Sequence, residues 1–223
     1  MSNPSVKAKC YTNLGNPELL KRVPQESRIV LDVGCGAGDN ARLLSKRGKI
    51  VDGVTISPEE ASIATQFCRS ISIHNLEEGL PSGLAVSYDV ILASHVLEHI
   101  CFPEKLLADV AMKLSPEGIF LVALPNLLNW RQRIQLLLGN FEYAGSGIMD
   151  NTHFRWYTFN SARAMLERNG FKVIEAHADG AFLLWKLRKV LPRTVTTAVD
   201  DWASSVCPGL FGLQLLYACK RIR

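Results

Sequence analysis

Apolar positions in this chain follow two periods that alternate with one another. Short apolar runs, rich in Val, Ile and Leu and roughly four to eight residues long, recur between turn-forming residues, the pattern of strands buried on both faces. They predict seven strands: RIVLDV at 28–33, KIVDGVTI at 49–56, SISIHN at 70–75, YDVILAS at 88–94, GIFLVAL at 118–124, FKVIEA at 171–176 and LQLLYACK at 213–220. Helical spacing fills 39–47, 58–69, 103–114 and 159–169, the last two stopped by LSPEG and RNG. This alternation predicts an α/β fold whose mostly parallel sheet carries helices on both faces. The rhythm breaks at 125–158, too long for a simple connection. Within that stretch LLNWRQRIQLLLGNF puts Leu127, Trp130, Ile134, Leu137 and Leu138 on one helical face, with Arg131 and Arg133 nearer the other. A helical insertion after the fifth strand is expected, serving as lid, partner surface or core.

With 223 residues, 48% of them hydrophobic, the chain is expected to form a single domain over 1–223. No run approaches the roughly 18 apolar residues of a membrane span. The six cysteines, Cys10, Cys35, Cys68, Cys101, Cys207 and Cys219, form no C-x-x-C pair and several lie in apolar segments, which fits a reducing cytoplasm. Net charge is +4, but 1–124 hold 12 basic and 14 acidic side chains and 125–223 hold 13 and 7. The C-terminal part is thus a basic solvated surface, or one that faces an anionic partner.

The candidate chemistry begins directly after the first strand, in LDVGCGAGDN, where Gly34, Gly36 and Gly38 alternate in a tight turn entering a helix. Such a turn brings backbone amides and a helix N-terminus close to a ligand. The third glycine comes one residue too early for G-x-G-x-x-G, and no G-K-[ST] follows, which excludes a P-loop. Asp32 makes the turn specific: its carboxylate suits the ammonium of an amino acid while the amides suit the carboxylate. The expected ligand has an amino-acid end and no phosphate.

These residues resemble the class I S-adenosylmethionine-dependent methyltransferases, whose first motif is similar to VLDVGCGAG at 30–38. YDVILASHVLEHI, KLSPEGIFLVALPN and LERNGFKVIEA resemble the family's later strands, so the likeness covers nearly the whole chain. It implies a Rossmann-like sheet of seven strands with the last antiparallel, and a cofactor at the carboxyl ends of the first, second and fourth. Carried over residue by residue, Asp32, Gly34, Cys35 and Gly36 hold the methionine moiety, Gly38 lets the helix start close by, and Tyr11 closes over the methionine end. Where the family has an acidic residue for the ribose hydroxyls stands Thr55, followed by Ile56, so a weaker grip is implied. Asn75, followed by Leu76, takes the adenine amine, and Ala93, Ser94 and His95 flank the sulfonium. S-adenosylhomocysteine is the implied product.

Within SHVLEHI, His95, Glu98 and His99 also spell H-x-x-E-H, the inverted zinc-peptidase motif. That reading needs both histidines on one helix face, whereas His95 directly follows a strand; no metal is expected, and Glu98 and His99 are read as turn and capping groups. On the acceptor side, DNTHFRWY offers His153 as proton acceptor, Arg155 for an acidic substrate group, and Trp156 and Tyr157 as lining. No [DN]-P-P-[YF] follows the fourth strand, so a nucleic-acid substrate is not expected, and a small-molecule acceptor, sugar- or lipid-linked ones included, is preferred. HNLEEGLP and PNLLNWRQRIQLLLGN are similar to MetW-type proteins, and GIMDNTHFRWYTFNSARAMLERNGF to methyltransferases of surface-glycan and lipid gene clusters. The MetW likeness leaves open a weakly catalytic protein whose helix near 127–138 docks a partner or a second copy. AFLLWKLRKVLPR, with Phe182, Leu183, Trp185 and Leu187 among Lys186, Arg188, Lys189 and Arg193, allows peripheral membrane contact.

Overall fold

A computed structural model describes residues 14–85, 87–180 and 192–222. Strands β1 (Ile29–Val33), β2 (Ile50–Thr55), β3 (Ser70–Ile73), β4 (Tyr88–Ser94), β5 (Leu114–Pro125), β6 (Phe171–Gly180) and β7 (Gly212–Arg221) form one sheet in the order β3-β2-β1-β4-β5-β7-β6. The first five are parallel, and β7 runs antiparallel between β5 and β6. This is the expected Rossmann-like sheet. Strand order reverses between β1 and β4, so the connections leaving these two strands part to opposite faces and open a crevice at their carboxyl ends.

Period-two alternation sorts the apolar residues onto two faces. Leu31 and Val33 of β1 join Ile91 of β4 and Phe120 and Val122 of β5 under helices α4 (Pro103–Lys113) and α6 (Phe159–Arg168). Val30, Leu92 and Leu121 pack on the other face with Leu19 and Leu20 of α1 (Pro17–Leu20) and Ala41 and Leu44 of α2 (Asp39–Ser45). Asp32 shares the register of Val30, which places a carboxylate in an otherwise apolar layer.

Three elements differ clearly from expectation in length, among them β6, which was expected to end at 176 and runs on to Gly180. Helix α3 (Pro58–Ala64) stops short of 69 because its carbonyls are taken up by tight turns, with the Phe67 and Cys68 amides both bonded to Ala64 O. β5 starts early, at Leu114, and absorbs SPEG in an irregularity: Tyr88 pairs with Leu114 but Val90 already pairs with Ile119. Helices α7 (Arg193–Val206) and α8 (Pro208–Phe211), between β6 and β7, were not expected from the sequence. The β-branched run TVTTAV at the start of α7 has poor helix propensity.

The insertion does contain a helix, α5 (Trp130–Leu137), capped by Asn129, whose side-chain oxygen accepts from the Arg131 and Gln132 amides. None of its residues is buried; Leu137 is 86% and Leu138 69% exposed. The apolar face therefore stays on the surface and does not join the core. Most of the segment considered for membrane contact, 181–191, lies outside the described residues, and among those described no helix is long and apolar enough to cross a membrane.

This separation of core and insertion predicts unequal costs for one chemical change. Leu31→Ala, at a fully buried β1 position, should lower unfolding free energy by roughly 2–5 kcal/mol, whereas Leu137→Ala should stay within about 0.5 kcal/mol, both read by urea denaturation.

Candidate active site at the strand ends

The glycine loop has the backbone its sequence requires. Gly34, Gly36 and Gly38 have φ of 70°, 53° and 83°, in the left-handed region that favours glycine. A Cβ on Gly34 would stand 2.5 Å from Val96 Cγ2, and one on Gly53 of β2 would stand 2.7 Å from Cys35 Sγ. The loop is thus kept open by missing side chains. Cys35 donates its amide to Val54 O at 2.9 Å, which pins the loop to β2.

At the mouth of this loop Asp32 is fully buried, and neither carboxylate oxygen has a hydrogen-bond partner among the described residues. Burial pushes its pKa up to about 7; the nearby Asn40 side chain works against the rise, and Asp39 adds to it. A buried carboxylate left in this state fits a ligand ammonium. Next to it Asn16, which the sequence reading missed, donates its side-chain amide to Ser94 Oγ at 3.3 Å and to Gln214 Oε1 at 3.0 Å, while its backbone amide meets Asn40 Oδ1 at 2.8 Å. Asn16, Ser94 and Gln214 thus join α1, β4 and β7 at one rim.

The end of β2 has a carboxylate beside it after all, from a different place in the chain. Thr55 is buried and its hydroxyl donates to Glu60 Oε2 at 2.8 Å; Glu60, in the first turn of α3, is also buried. Glu60 looks in sequence like an ordinary first-turn acid, so the signal was hidden in helix-start chemistry. Ile56 follows with 68% exposure, an apolar surface facing outward at the strand end. Asn75 is exposed, and its side-chain oxygen caps the turn at Leu76–Glu78 by accepting the Glu77 amide at 3.1 Å. Leu76 is buried and Ala93 lies inside the sheet. Tyr11 lies outside the described residues.

His95 takes φ of 56° directly after β4, in the left-handed region, which turns the chain sharply at the crevice. Its Nε2 is 3.3 Å from Gln214 Oε1 and its Nδ1 3.3 Å from Glu98 Oε1. Burial disfavours the charged ring, but the hydrogen bond and charge of Glu98 outweigh it, and the pKa rises above that of a free histidine. His95 and His99 do not share a helix face, so the inverted zinc-peptidase geometry is absent.

The end of the insertion lies against this turn. Amides of Phe154 and Arg155 both donate to Glu98 O, at 2.9 and 3.1 Å, and Arg155 Nε donates to Cys101 O at 2.7 Å. His153 is buried and its Nδ1 lies 3.0 Å from Ile148 O. Burial lowers its pKa, so the ring is neutral at physiological pH. Tyr157 is buried with its hydroxyl unbonded among the described residues, and burial pushes its pKa up to about 12, so it remains a phenol.

Comparisons with known proteins agree with this geometry. A family model described as a methyltransferase domain matches residues 12–176, and the chain belongs to that family. Among curated proteins it is 28% identical over 159 residues to the ubiquinone biosynthesis O-methyltransferase of Coxiella burnetii, covering 68% of this chain and 67% of the relative. Among solved structures it is similar to a SAM-dependent methyltransferase from Archaeoglobus fulgidus, with TM-score 0.65, 22% identity and 92% of each chain covered. A second is an S-adenosylmethionine-dependent methyltransferase from Mesorhizobium loti, with TM-score 0.61, 19% identity and 92% and 96% covered. The chain is an S-adenosylmethionine-dependent methyltransferase of the class I, Rossmann-like kind.

Asp32 makes stability depend on pH with a definite sign. Its folded pKa, about 7, lies above the ordinary 3.8, so between those values the folded protein holds a proton that the unfolded chain has lost, and stability falls as pH rises. Asp32→Asn should remove that fall. In urea unfolding the variant should gain on the wild type from pH 5 to pH 8 by on the order of a few kcal/mol.

Proposed function

We propose that this methyltransferase binds its donor across the glycine loop, with Asp32 opposite the donor's ammonium, and methylates a hydroxyl of a small-molecule acceptor. The buried, unbonded Asp32 carboxylate carries this reading. A non-catalytic partner protein gains nothing from an uncompensated buried charge, whereas a donor-binding site needs one. S-adenosylmethionine supplies a methyl group on a positively charged sulfur, so transfer requires alignment of the acceptor and exclusion of water more than it requires acid or base strength.

In this assignment the amides of Gly34, Cys35 and Gly36 receive the amino-acid carboxylate, and Gly38 lets α2 begin against it. Thr55 and Glu60 together supply the ribose contacts, so the acidic partner expected at the end of β2 comes from α3. Ile56, Asn75 and Leu76 border the adenine, and Ala93, Ser94 and His95 border the sulfonium. Tyr11 is retained from the family resemblance as the closing aromatic. On the acceptor side stand His153, whose neutral ring offers Nε2 to a hydroxyl, Tyr157 as a phenolic donor, and Arg155, which holds the returning chain against Cys101. The insertion around 125–158 supplies the acceptor region, with a shallow hollow of about 410 Å³ lined by Trp130, Arg131, Ile134 and Gln135. An oxygen acceptor is supported by the name of the Coxiella burnetii relative.

Calorimetric titration with S-adenosylmethionine and with S-adenosylhomocysteine tests the site. Micromolar binding is expected for the wild type and none for Gly36→Arg, which fills the loop. Removing the Glu60 carboxylate as Glu60→Ala should weaken binding about ten- to hundredfold, the size of a lost charged hydrogen bond. A folded wild type without affinity for either ligand would overturn the reading.

A further inference from the structure

The chain leaves β4 through a residue whose backbone and ring are both constrained. His95, with φ of 56°, is the one non-glycine residue of positive φ among those described, and such a conformation persists only where the surroundings impose it. Its side chain is 42% exposed, yet both ring nitrogens are turned to protein groups. Nε2 is 3.3 Å from Gln214 Oε1, and Nδ1 is 3.3 Å from Glu98 Oε1.

The direction of the surrounding hydrogen bonds fixes what each nitrogen carries. Asn16 Oδ1 accepts the Leu19 amide, so its Nδ2 is the atom that donates to Gln214 Oε1, while Gln214 Nε2 donates to Asp179 Oδ2 at 2.9 Å. Gln214 therefore turns its carbonyl oxygen to His95, and His95 Nε2 carries a proton. On the other side Glu98 is completely buried and no well-formed hydrogen bond reaches either oxygen. Glu98, His99 and His153 form a cluster in which a carboxylate oxygen and one nitrogen of each ring lie within 4.8 Å of one another. Those two rings give Glu98 no proton, because His153 Nδ1 is committed to Ile148 O at 3.0 Å and His99 Nδ1 to Thr152 O at 3.2 Å. A carbonyl only accepts, so in both rings Nδ1 carries the proton and Nε2 a lone pair. A buried carboxylate without a cation is costly, and His95 Nδ1 is in place to neutralise this one. His95 thus donates at both ends, which makes its ring an imidazolium.

We propose that His95, held as an imidazolium by Gln214 and Glu98, sets its positive charge against the sulfonium of the donor, and that methyl transfer relieves the opposition. This rests on the donor reading above, in which Ala93, Ser94 and His95 border the sulfur. As the acceptor oxygen bonds to the methyl carbon, the carbon–sulfur bond breaks with its electron pair left on sulfur, and the hydroxyl proton passes to the neutral His153 ring. Sulfur ends uncharged, so its repulsion from His95 falls along the reaction. An interaction less unfavourable in the transition state than in the bound donor speeds the chemical step. The same charge favours the neutral product over the donor at equilibrium. S-adenosylmethionine and S-adenosylhomocysteine differ only in the methyl group and its charge, so the ratio of their affinities isolates this effect from general damage to the site. Gln214 acts here as a positioning residue, since its oxygen holds the second proton on the ring.

The test is calorimetric titration of the full-length wild type, His95→Asn and Gln214→Leu with S-adenosylmethionine and with S-adenosylhomocysteine at pH 7, with circular dichroism as the check on folding. Asparagine tolerates the left-handed backbone and carries no charge, while leucine removes the oxygen that faces Nε2. Glu98 offsets part of the imidazolium charge, so each variant should gain on the donor relative to the product by about three- to tenfold, whatever happens to the two affinities separately. Nitrogen-15 spectra of histidine-labelled wild type, bound to the donor, supply a readout that needs neither variant to fold. Both ring nitrogens of His95 should resonate as protonated, and a ring with one bare nitrogen overturns the charge assignment. An unchanged affinity ratio in His95→Asn overturns the electrostatic role, and one unchanged in Gln214→Leu alone overturns the part given to Gln214. A folded wild type that binds neither ligand sinks the donor reading, whereas one that binds both with the ratio indifferent to His95 sinks this proposal alone.

Discussion

Asp32 is held fully buried in the parallel part of the sheet with no well-formed hydrogen bond to either carboxylate oxygen, and this constraint shapes the crevice at the strand ends. Its strand, β1, lies between β2 and β4, so every β1 side chain faces a packed layer. Placing a carboxylate there opposes folding, which is why its proton is retained up to about pH 7. The structure tolerates that cost because the strand-order reversal keeps helices away from the carboxyl end of β1 and the loop beyond it lacks side chains. Gly34 and Gly53 are the positions where an added Cβ would close the space, against Val96 and against Cys35 and Ile71. Glycine makes the opening, and a buried carboxyl group lies beneath it.

The turn after β4 links this opening to the returning insertion within five residues. His95 leaves the strand in a left-handed conformation and meets Gln214 of β7, while Glu98 and His99 continue into the turn at Leu97–His99. Backbone amides of Phe154 and Arg155 close on the Glu98 carbonyl, so the returning insertion is fastened to the same turn. The end of β4 and the returning insertion are therefore tied to one short segment, and a displacement of it is felt by both.

How much of this could be read in the sequence follows from the range of each interaction. The seven strands and the glycine loop were legible because their signals are local: apolar runs, and glycines next to an acid. Thr55 stands at the end of β2, where the strand pattern put it, but its partner Glu60 was missed, since an acid three residues after Ser57 reads as ordinary helix-start chemistry. The Glu98–His99–His153 cluster was illegible for the opposite reason. Glu98 and His153 are 55 residues apart in sequence, and H-x-x-E-H drew His95 into the set in place of His153. Helix α7 was missed because its β-branched opening outweighs a helical period that tertiary packing later rewards.

Exposure of the insertion helix has an energetic meaning of its own. Eight residues are too few for a helix to be stable in water by itself, and α5 buries none of its side chains. What holds it are local ties: the Asn129 cap and the Arg133 guanidinium on Leu128 O at 2.7 Å. Phe141, Tyr143 and Trp156 add a small aromatic cluster, with centroids about 6 Å apart, next to the insertion's return to the sheet. Few buried contacts imply a low local opening energy, well below that of the sheet. Rearrangement of 130–143 would thus draw little on the stability of the core. The glycine loop rests on buried strands while the insertion helix rests on few contacts, so the two regions differ in local stability.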